Sequence, residues 1–469
     1  MANHVIIGGG PAAQAAIESI RQAGSSDPIT VISNEPMYAR MALPYFIAGE
    51  KPEGLMFTAN EAYFAQKGVT FVQSAATGVD TTAKTVSVAG GETVNYDTLL
   101  IATGSSAVKL NVPGADLPGV INLWTLDDAR ACAAAIKEGT RVVFVGAGFI
   151  GLIVVNALFK RKCQLSVVEI AGQILPRMLD AQSATLVEGW LKKKGVALHT
   201  GNSVTGISAN ADGTKSVQLK DGSALTTDLV IMSAGIKANL GFLDGSGVAV
   251  GQGVLVNERL ESNVPGVFAA GDCAQGPDVL SGAQQVHAIQ PTASEHGKVA
   301  GANMAGSGVV YRGSLLINIL DVCGLQCASF GQWSDSSDVT CVSNDSRPAV
   351  RKFVWSGNRI VGAIFVGRPD DLAMLTDVGM VKGLIQTKAD LGVWKKYLSE
   401  NPFDVRRAYV GSGAAAGLLG TKLTANASKD RDYRFNDLKP AKQVGEAHAI
   451  LVGTKPVGEP EKVEGPAAG

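Results

Sequence analysis

The sequence has no excess of charge of either sign. It carries 41 Lys and Arg residues against 42 Asp and Glu residues, a formal net charge of −1 over 469 residues. Proteins that bind nucleic acid or anionic membranes through a broad basic surface need a clear positive excess. We therefore expect neither nucleic acid nor a membrane among the partners.

Cysteine is scarce, and its spacing excludes the usual cysteine-based metal sites. The six cysteines stand at positions 132, 163, 273, 323, 327 and 341. None forms C-x-x-C, and Cys323 and Cys327 have no second pair or nearby histidine that would complete a zinc site. Ferredoxin-like spacing for an iron–sulfur cluster is also missing. We expect buried, reduced thiols in a cytoplasmic protein.

Long apolar runs are rare as well. The longest, VVFVGAGFIGLIVVNALF, covers 142–159 and has the length of a membrane helix. Three glycines at turn spacing and the polar Asn156 favour a buried strand, a tight turn and a buried helix instead. Strand-like residues already begin at His4, so we expect no signal peptide.

A glycine cluster follows the first apolar residues, in MANHVIIGGGPAAQAAIESI. Gly8, Gly10 and Ala13 fill a G-x-G-x-x-G/A pattern after the predicted strand 5–7. The first glycine permits a tight turn, the second lets the backbone approach a pyrophosphate, and the small third residue lets helix and strand pack closely. The next predicted strand, ITVIS, leads to Glu35, which is placed to accept a ribose hydroxyl. The predicted helix between them has an apolar face formed by Ala13, Ala16, Ile17 and Ile20.

A second copy of this pattern strengthens the interpretation. RVVFVGAGFIGLI places Gly146, Gly148 and Gly151 after another apolar strand, and QLSVVE ends at Glu169, 23 residues after Gly146. A single glycine-rich turn is often only a turn. Two complete strand–turn–helix–strand–acid units favour two dinucleotide sites over a structural pair of α/β units.

The spacing of these motifs resembles that of the two-dinucleotide FAD/NAD(P)H oxidoreductases. Further stretches add to the resemblance: YDTLLIATGS at 96–105, DLVIMSAGIKAN at 228–239 and VPGVFAAGDCA at 264–274. It spans roughly residues 4–400, and the rubredoxin reductases and the flavoprotein part of assimilatory nitrite reductases are similar in style. The resemblance implies an α/β fold with two Rossmann-like domains, FAD and NAD(H) as cofactors, and an iron–sulfur protein or partner subunit that exchanges electrons with the flavin.

The family organisation implies a split FAD domain. Residues 1–112 and 240–330 would form it, with the NAD domain 113–239 inserted. Residues 331–410 would form a small α+β domain with a hairpin turning at Ser356-Gly357, and 411–469 an extended tail. We interpret this tail, which carries one apolar run, AHAILVG at 447–453, as a docking arm for a partner subunit. The alternative is a tail folded back on its own chain.

The resemblance also implies a set of cofactor-binding residues. For FAD they are Gly8, Gly10, Pro11, Ala12, Ala13, Glu35, Arg40, Ala76, Thr103, Gly104, Gly271 and Asp272, of which Asp272 would bind the ribityl chain. For NAD(H) they are Gly146, Gly148, Phe149, Ile150, Gly151, Glu169 and Gly235. Ile170, Ala171 and Gly172 follow Glu169 without an arginine for a 2′-phosphate, which predicts NADH rather than NADPH.

Several positions depart from the family pattern. Met41 stands where the disulfide reductase branches carry a cysteine, and a thioether is no thiolate nucleophile. Tyr45 and Ile153 occupy the places of a lysine and a glutamate beside the flavin, and Trp124 replaces an arginine.

Two functions therefore stay open. One is a NADH-linked flavoprotein that exchanges electrons with an iron–sulfur partner. The other is a non-catalytic, FAD-stabilised assembly subunit with a decayed NAD site. His287 and His296 lie in the stretch that faces the flavin in relatives, either as structural histidines or as a proton relay. No catalytic residue is identified, and no metal site is expected.

Overall fold

The computed structural model describes residues 2–334 and 337–414, and the statements below concern those residues. The predicted tail lies outside the described residues from position 415 onward. Within the described part of the chain, no helix has the length and apolar character needed to cross a membrane.

The first sheet is parallel and takes strands from two distant parts of the chain. Its strands are β1 (His4–Ile7), β2 (Ile29–Ser33), β3 (Val69–Gln73), β7 (Thr98–Ile101) and β19 (Val267–Ala269). Their order is β19–β7–β1–β2–β3, and β1 is buried along its whole length, as is typical of the central strand of a parallel sheet. The order β3–β2–β1–β7 is that of a Rossmann-like unit.

Two helices of this unit pack on each other unusually closely. They are α1 (Pro11–Gln22) and α7 (Gln290–Met304). The short helices α2 (Leu43–Ile47) and α3 (Glu61–Lys67) lie between β2 and β3 in the chain. A Cβ on Gly297 would overlap the carbonyl oxygen of Ala12, and one on Gly301 would overlap the backbone of Ala16. The glycines of α7 and the alanines of α1 thus let the two backbones touch. The apolar face predicted for α1 is buried.

The second sheet repeats this plan. Its strands are β9 (Val120–Asn122), β10 (Arg141–Val145), β11 (Gln164–Glu169), β12 (Ala197–Thr200) and β16 (Leu229–Met232), all parallel, in the order β12–β11–β10–β16–β9. Its helices are α4 (Leu126–Ala135), α5 (Phe149–Lys160) and α6 (Ala181–Lys193). The apolar run 142–159 is a strand, a turn and a helix, which confirms the prediction.

Each parallel sheet carries a three-stranded antiparallel sheet at the same point of the chain path. Between β3 and β7 lie β4 (Ala76–Asp80), β5 (Thr85–Val88) and β6 (Thr93–Asn95). Between β12 and β16 lie β13 (Val204–Ala209), β14 (Lys215–Leu219) and β15 (Ala224–Thr227). An antiparallel ribbon of β8 (Ser105–Ala107) and β17 (Ile236–Ala238) joins the two units. The two halves are therefore structural repeats, as the duplicated motif suggested.

The last part of the described chain is an antiparallel sheet covered by helices. A small sheet of β18 (Val254–Leu255), β20 (Ala274–Pro277) and β21 (Gln284–Gln285) precedes it. The strands of the five-stranded antiparallel sheet are β22 (Ile317–Asp321), β23 (Gln326–Gly331), β24 (Val339–Asn344), β25 (Ala349–Ser356) and β26 (Arg359–Gly367). Its helices are α8 (Leu372–Gln386), α9 (Trp394–Glu400) and α10 (Val405–Gly411). Strands β25 and β26 form the predicted hairpin, with Gly357 in its turn at φ +60°. The predicted domain boundaries stay predictions.

Candidate dinucleotide sites

The first glycine turn opens onto free space at the carboxyl end of β1. Gly8 has φ +116°, and a Cβ on it would overlap the carbonyl oxygen of Ala102, so only glycine fits. Gly10 is the N-cap of α1 with φ −83° and no side-chain cap, and a Cβ there would meet no heavy atom within 4 Å. The free amides of the first turn of α1 therefore face open space, which suits a phosphate.

The second glycine turn has the same geometry. Gly146 has φ +103°, and a Cβ on it would overlap the carbonyl oxygen of Ser233. Gly148 is the uncapped N-cap of α5 with φ −77°, and a Cβ on it would again meet no heavy atom within 4 Å. A Cβ on Gly151 would overlap the carbonyl oxygen of Gly146, so the turn depends on this third glycine. Both turns thus present an uncapped helix N-terminus to open space.

The two predicted ribose acids differ in their partners. Glu35, just beyond β2, accepts hydrogen bonds from Tyr38 Oη at 2.9 Å and from Arg40 Nη2 at 2.7 Å. Glu169, at the end of β11, is 7% exposed and accepts bonds from the backbone amides of Ala147 at 2.6 Å and Ala171 at 2.9 Å. Each carboxylate oxygen can accept a second bond, so both acids keep capacity for a ribose hydroxyl. Glu169 also ties the glycine turn to the loop after β11.

Arg40 is held between two aromatic rings. Its guanidinium lies 5.3 Å from the ring centroids of both Tyr38 and Trp124 and donates a hydrogen bond to the Trp124 carbonyl. The Trp124 indole N–H donates to the carbonyl of Ser105 at 2.7 Å. Trp124 stands where the family pattern has an arginine. Through these contacts it connects the β9–α4 loop of the second unit to two segments of the first.

Ser105 continues this connection to Asp272. Its hydroxyl donates to Asp272 Oδ2 at 2.7 Å. Burial raises the pKa of Asp272, and the Ser105 hydrogen bond and the charge of Arg40 oppose that effect only in part. A desolvated carboxylate is stabilised by further hydroxyl donors. The donors that a ribityl chain offers fit this position, and the open space at Gly10 fits a pyrophosphate, so the residues present suit FAD.

Thr103 and Gly104 form a network of three hydrogen bonds with Asn239. The Thr103 hydroxyl donates to the Asn239 carbonyl at 2.8 Å, the Asn239 side-chain amide donates to the Thr103 carbonyl at 3.0 Å, and its backbone amide donates to the Gly104 carbonyl at 3.0 Å. Gly104 has φ +63°. This network fixes the chain between the end of β7 in the first sheet and the start of the ribbon that joins the two units.

The other predicted residues lie beside these turns or further away. Pro11 and Ala12 begin α1, Phe149 and Ile150 begin α5, and Gly271 precedes Asp272 in a short 3₁₀ turn. Gly235 has φ +116° and accepts a backbone hydrogen bond from Val108 across the ribbon. Ala76 starts β4 and packs against the first core.

The departures from the family pattern have different environments. Met41 and Tyr45 are 42% and 50% exposed. Ile153 lies in α5 and packs against the core of the second unit. None of these three side chains carries a charge. The lysine expected at Tyr45 and the glutamate expected at Ile153 are therefore both missing, and neither position leaves an unpaired charge.

No second redox centre is built from the described residues. All six cysteines are unpaired, and burial raises the pKa of every thiol. The described ranges also hold no group of three or more His, Cys, Asp or Glu residues that could bind a metal. The expectation of buried thiols is wrong for Cys341, which is exposed, and for the partly exposed Cys163. Cys341 lies on β24, an edge strand, where side chains can point to solvent.

Sequence reasoning missed two residues of the first site. Tyr38 and Ser105 carry the hydrogen bonds and ring contact that join Glu35, Arg40 and Asp272. Ser105 directly follows the A-T-G stretch, and an aromatic residue two positions before Arg40 was a usable signal for a stacked arginine. The role of Ser105 depends on Trp124 and Asp272, which are 19 and 167 residues away, and local patterns do not give such contacts.

Comparison with known proteins places this geometry in a family. The family model of the pyridine nucleotide-disulphide oxidoreductases matches residues 2–288. The chain belongs to this family. Its members are flavoproteins that bind FAD and NAD(H), which confirms the predicted cofactors, the resemblance and the α/β fold with two Rossmann-like units.

Two curated relatives illustrate the range of similar proteins. The epsilon subunit of the NADH-dependent phenylglyoxylate dehydrogenase of Aromatoleum evansii is 29% identical over 411 residues, covering 86% of this chain and 96% of the relative. The NADH-rubredoxin oxidoreductase of Clostridium acetobutylicum is 26% identical over 379 residues, covering 80% and 91%.

Solved structures agree on the fold. The NAD-dependent persulfide reductase from A. fulgidus is 26% identical, with a TM-score of 0.75, 89% of this chain and 84% of that chain covered. The putidaredoxin reductase in its covalent complex with putidaredoxin gives a TM-score of 0.79 at 21% identity, with 88% and 99% covered, a likeness of fold alone.

Proposed function

We propose that the chain is a NADH-dependent flavoprotein reductase that exchanges electrons between NAD(H) and an iron–sulfur protein or partner subunit. One observation carries the proposal. Two intact dinucleotide turns stand in a chain whose described residues include neither a disulfide pair nor a metal cluster. Since the described residues offer neither a thiol pair nor a metal cluster to take electrons from a bound flavin, we infer that the acceptor is a separate protein.

The names of relatives support this choice of acceptor. They include a subunit of a larger dehydrogenase, an NADH-rubredoxin oxidoreductase and the ferredoxin reductase component of a chlorobenzene dioxygenase. When bound, the flavin supplies a step that takes two electrons as a hydride and releases them singly, which suits a one-electron iron–sulfur acceptor.

We assign the two cofactors to the two turns. FAD is held by the turn Gly8–Gly10 with Pro11, Ala12 and Ala13, by Glu35, Arg40 and Ala76, and by Thr103, Gly104, Gly271 and Asp272. NAD(H) is held by the turn Gly146–Gly148 with Phe149, Ile150 and Gly151, and by Glu169 and Gly235. We also propose the division into an FAD domain (1–112 and 240–330), an NAD domain (113–239), a small third domain (331–410) and a tail (411–469).

The chain's own residues prepare the first site in two ways. Arg40 places a cation beside Asp272 and Glu35, and the uncapped start of α1 offers amides to the pyrophosphate. Trp124 fixes Arg40 by ring stacking and by its carbonyl, so the guanidinium is positioned before any ligand arrives.

The alternative is a non-catalytic, FAD-stabilised assembly subunit with a decayed NAD site. Trp124 and Ile153 suggested it, because both replace charged residues of the family. The geometry of the second turn speaks against decay, since Gly146, Gly148 and Gly151 meet the same steric demands as the first turn.

Acceptor reduction separates the two functions. Purified full-length protein is mixed with NADH and, in separate reactions, rubredoxin, a [2Fe–2S] ferredoxin and a redox dye. We expect NADH-dependent reduction of at least one iron–sulfur protein, and its loss in Gly148→Val with the flavin retained. Reduction of the dye without either iron–sulfur protein contradicts the acceptor class. Flavin-loaded protein that reduces nothing supports the assembly subunit.

A further inference from the structure

A buried chain of hydrogen bonds begins at the backbone beside Asp272. The amide of Gly271 donates to His296 Nδ1 at 3.4 Å, and His296 Nε2 lies 2.9 Å from Ser314 Oγ. Ser314 Oγ lies 3.2 Å from Tyr311 Oη, which lies 3.1 Å from Glu295 Oε2. His296 and Ser314 are each 1% exposed and Tyr311 is 5% exposed, so water does not replace these contacts.

The protons of this chain can be assigned in one consistent direction. Because the Gly271 amide is a donor, Nδ1 of His296 must accept, and the ring proton sits on Nε2 and points to Ser314. The Ser314 hydroxyl then donates to Tyr311, and Tyr311 donates to the Glu295 carboxylate. The reverse direction would leave Tyr311 Oη and Glu295 Oε2 as two acceptors facing each other at 3.1 Å.

His296 is neutral in this arrangement. Burial lowers its pKa to about 3, and the neighbouring His287 acts in the same direction. Its ring also lies edge-on to the Tyr311 ring at 5.1 Å between centroids. Lys382 of α8, whose Nζ is 3.6 Å from Glu295 Oε1, anchors the far end of the chain. The imidazole therefore has one tautomer and one orientation.

The anchored peptide is tightly confined. Gly271 has φ +80°, and a Cβ on it would lie 3.3 Å from the Cβ of Ala293 and 3.5 Å from that of Ala12. The next residue is Asp272, whose carboxylate accepts a hydrogen bond from the Ser105 hydroxyl. Among the described contacts, His296 is the side chain that holds the peptide and Ser105 the one that holds the carboxylate.

We propose that His296 is a positioning residue for the flavin nucleotide: it fixes the Gly271 amide and so sets the Asp272 carboxylate at the FAD site proposed above. This inference rests on the assignment of Asp272 to FAD in the proposed function. A loss of the histidine acceptor leaves the buried Gly271 amide unsatisfied and lets the Asp272 peptide rotate.

The test compares three full-length variants. His296→Leu removes both hydrogen bonds at similar volume, whereas His296→Asn keeps an oxygen acceptor where Nδ1 stood. His4→Leu is the matched control, because His4 is also 1% exposed and also bonds a hydroxyl, Thr98 Oγ1 at 2.7 Å, but lies at the opposite end of β1 from the first glycine turn. FAD dissociation constants come from flavin fluorescence on dilution, and flavin midpoint potentials from dye-coupled reduction.

We expect His296→Leu to weaken FAD binding by about tenfold or more and to shift the midpoint potential. His296→Asn should stay within about threefold of wild type, and His4→Leu should lower Tm without changing FAD affinity. His296→Leu and His4→Leu that behave alike in FAD affinity and potential would overturn the proposal. If His296→Leu does not fold, a His296→Asn protein with a weakened FAD affinity also overturns it. Wild-type protein purified without flavin would contradict the assignment of FAD to this site. The failure of the cofactor assignment is therefore distinguishable from the failure of the His296 proposal.

Discussion

Substitution of valine at Gly10 should empty the flavin site and leave the protein folded. Gly10 has φ −83° and ψ −174°, an extended backbone that valine adopts without strain, and no heavy atom lies within 4 Å of the position of its Cβ. The side chain would instead fill the space in front of the first amides of α1. Gly8 is unsuitable for this test, because φ +116° and the Ala102 carbonyl make any substitution there disrupt the fold.

The magnitude follows from the contacts that would be lost. A hydrogen bond from a backbone amide to a charged group contributes roughly 1.5–3 kcal/mol, and displacement of a pyrophosphate removes at least two of them. The loss of roughly 3–6 kcal/mol corresponds to about 10²–10⁴-fold weaker FAD binding. The folded apoprotein should lose only about 1 kcal/mol, the scale of a change at a helix N-cap.

The assay is the ratio of flavin to protein absorbance after purification, with circular dichroism to verify folding. Gly148→Val is the matched variant, since Gly148 has the same cap geometry and the same free space at the second turn. It should keep flavin and lose NADH-dependent reduction. Gly10→Val protein with full flavin content, or Gly148→Val protein that loses flavin and keeps NADH activity, would refute the assignment of the two turns.

Three further predictions concern single side chains. The negative charge of Glu169 would repel the 2′-phosphate of NADPH by on the order of 4 kcal/mol at 4 Å and an effective dielectric constant of 20, and even half of this energy is over tenfold in affinity. The kcat/KM should therefore favour NADH over NADPH, and Glu169→Gln should reduce that preference. Equal kcat/KM values for the two nucleotides in the wild type contradict the prediction. Trp124→Phe keeps the ring over Arg40 but loses the 2.7 Å bond to Ser105, so FAD should dissociate several-fold faster in stopped-flow dilution, and an unchanged rate contradicts the role of the indole N–H. Asp377 is 4% exposed, and its burial raises the pKa of its carboxyl group to about 6 because the desolvation outweighs the opposing charge of Arg351. Because a raised folded-state pKa favours the protonated form, its stability contribution is complete below about pH 4 and lost as the pH rises through 6. Asp377→Asn should therefore raise Tm at pH 8 by a few degrees and leave it nearly unchanged at pH 4, and a lower Tm at pH 8 contradicts this sign.

Local sequence patterns predicted the parts of the fold that local forces determine. The two glycine turns follow from steric demands within a few residues of Gly8 and Gly146, and the apolar run 142–159 divides where its glycines stand. The hairpin at Gly357 likewise follows from a turn residue between two apolar strands.

Contacts between distant residues could not be predicted in this way. The antiparallel sheets β4–β6 and β13–β15 were not predicted, because their outer strands bury few residues and only the central strands β5 and β14 alternate regularly between buried and more exposed positions. Trp124 was identified only as a substitution, because its contact with Arg40 spans 84 residues. The partners of His296 likewise come from segments on both sides of α7, so the sequence left its role open between a structural histidine and a proton relay.

Anaerobic titration of the purified protein with NADH shows whether the two dinucleotide sites work together. We expect about one equivalent of NADH to bleach the visible absorbance of the oxidised flavin, since NADH bound at the second turn would pass its electrons to the flavin held by the first. An oxidised flavin spectrum that persists under excess NADH and disappears only with dithionite would contradict it.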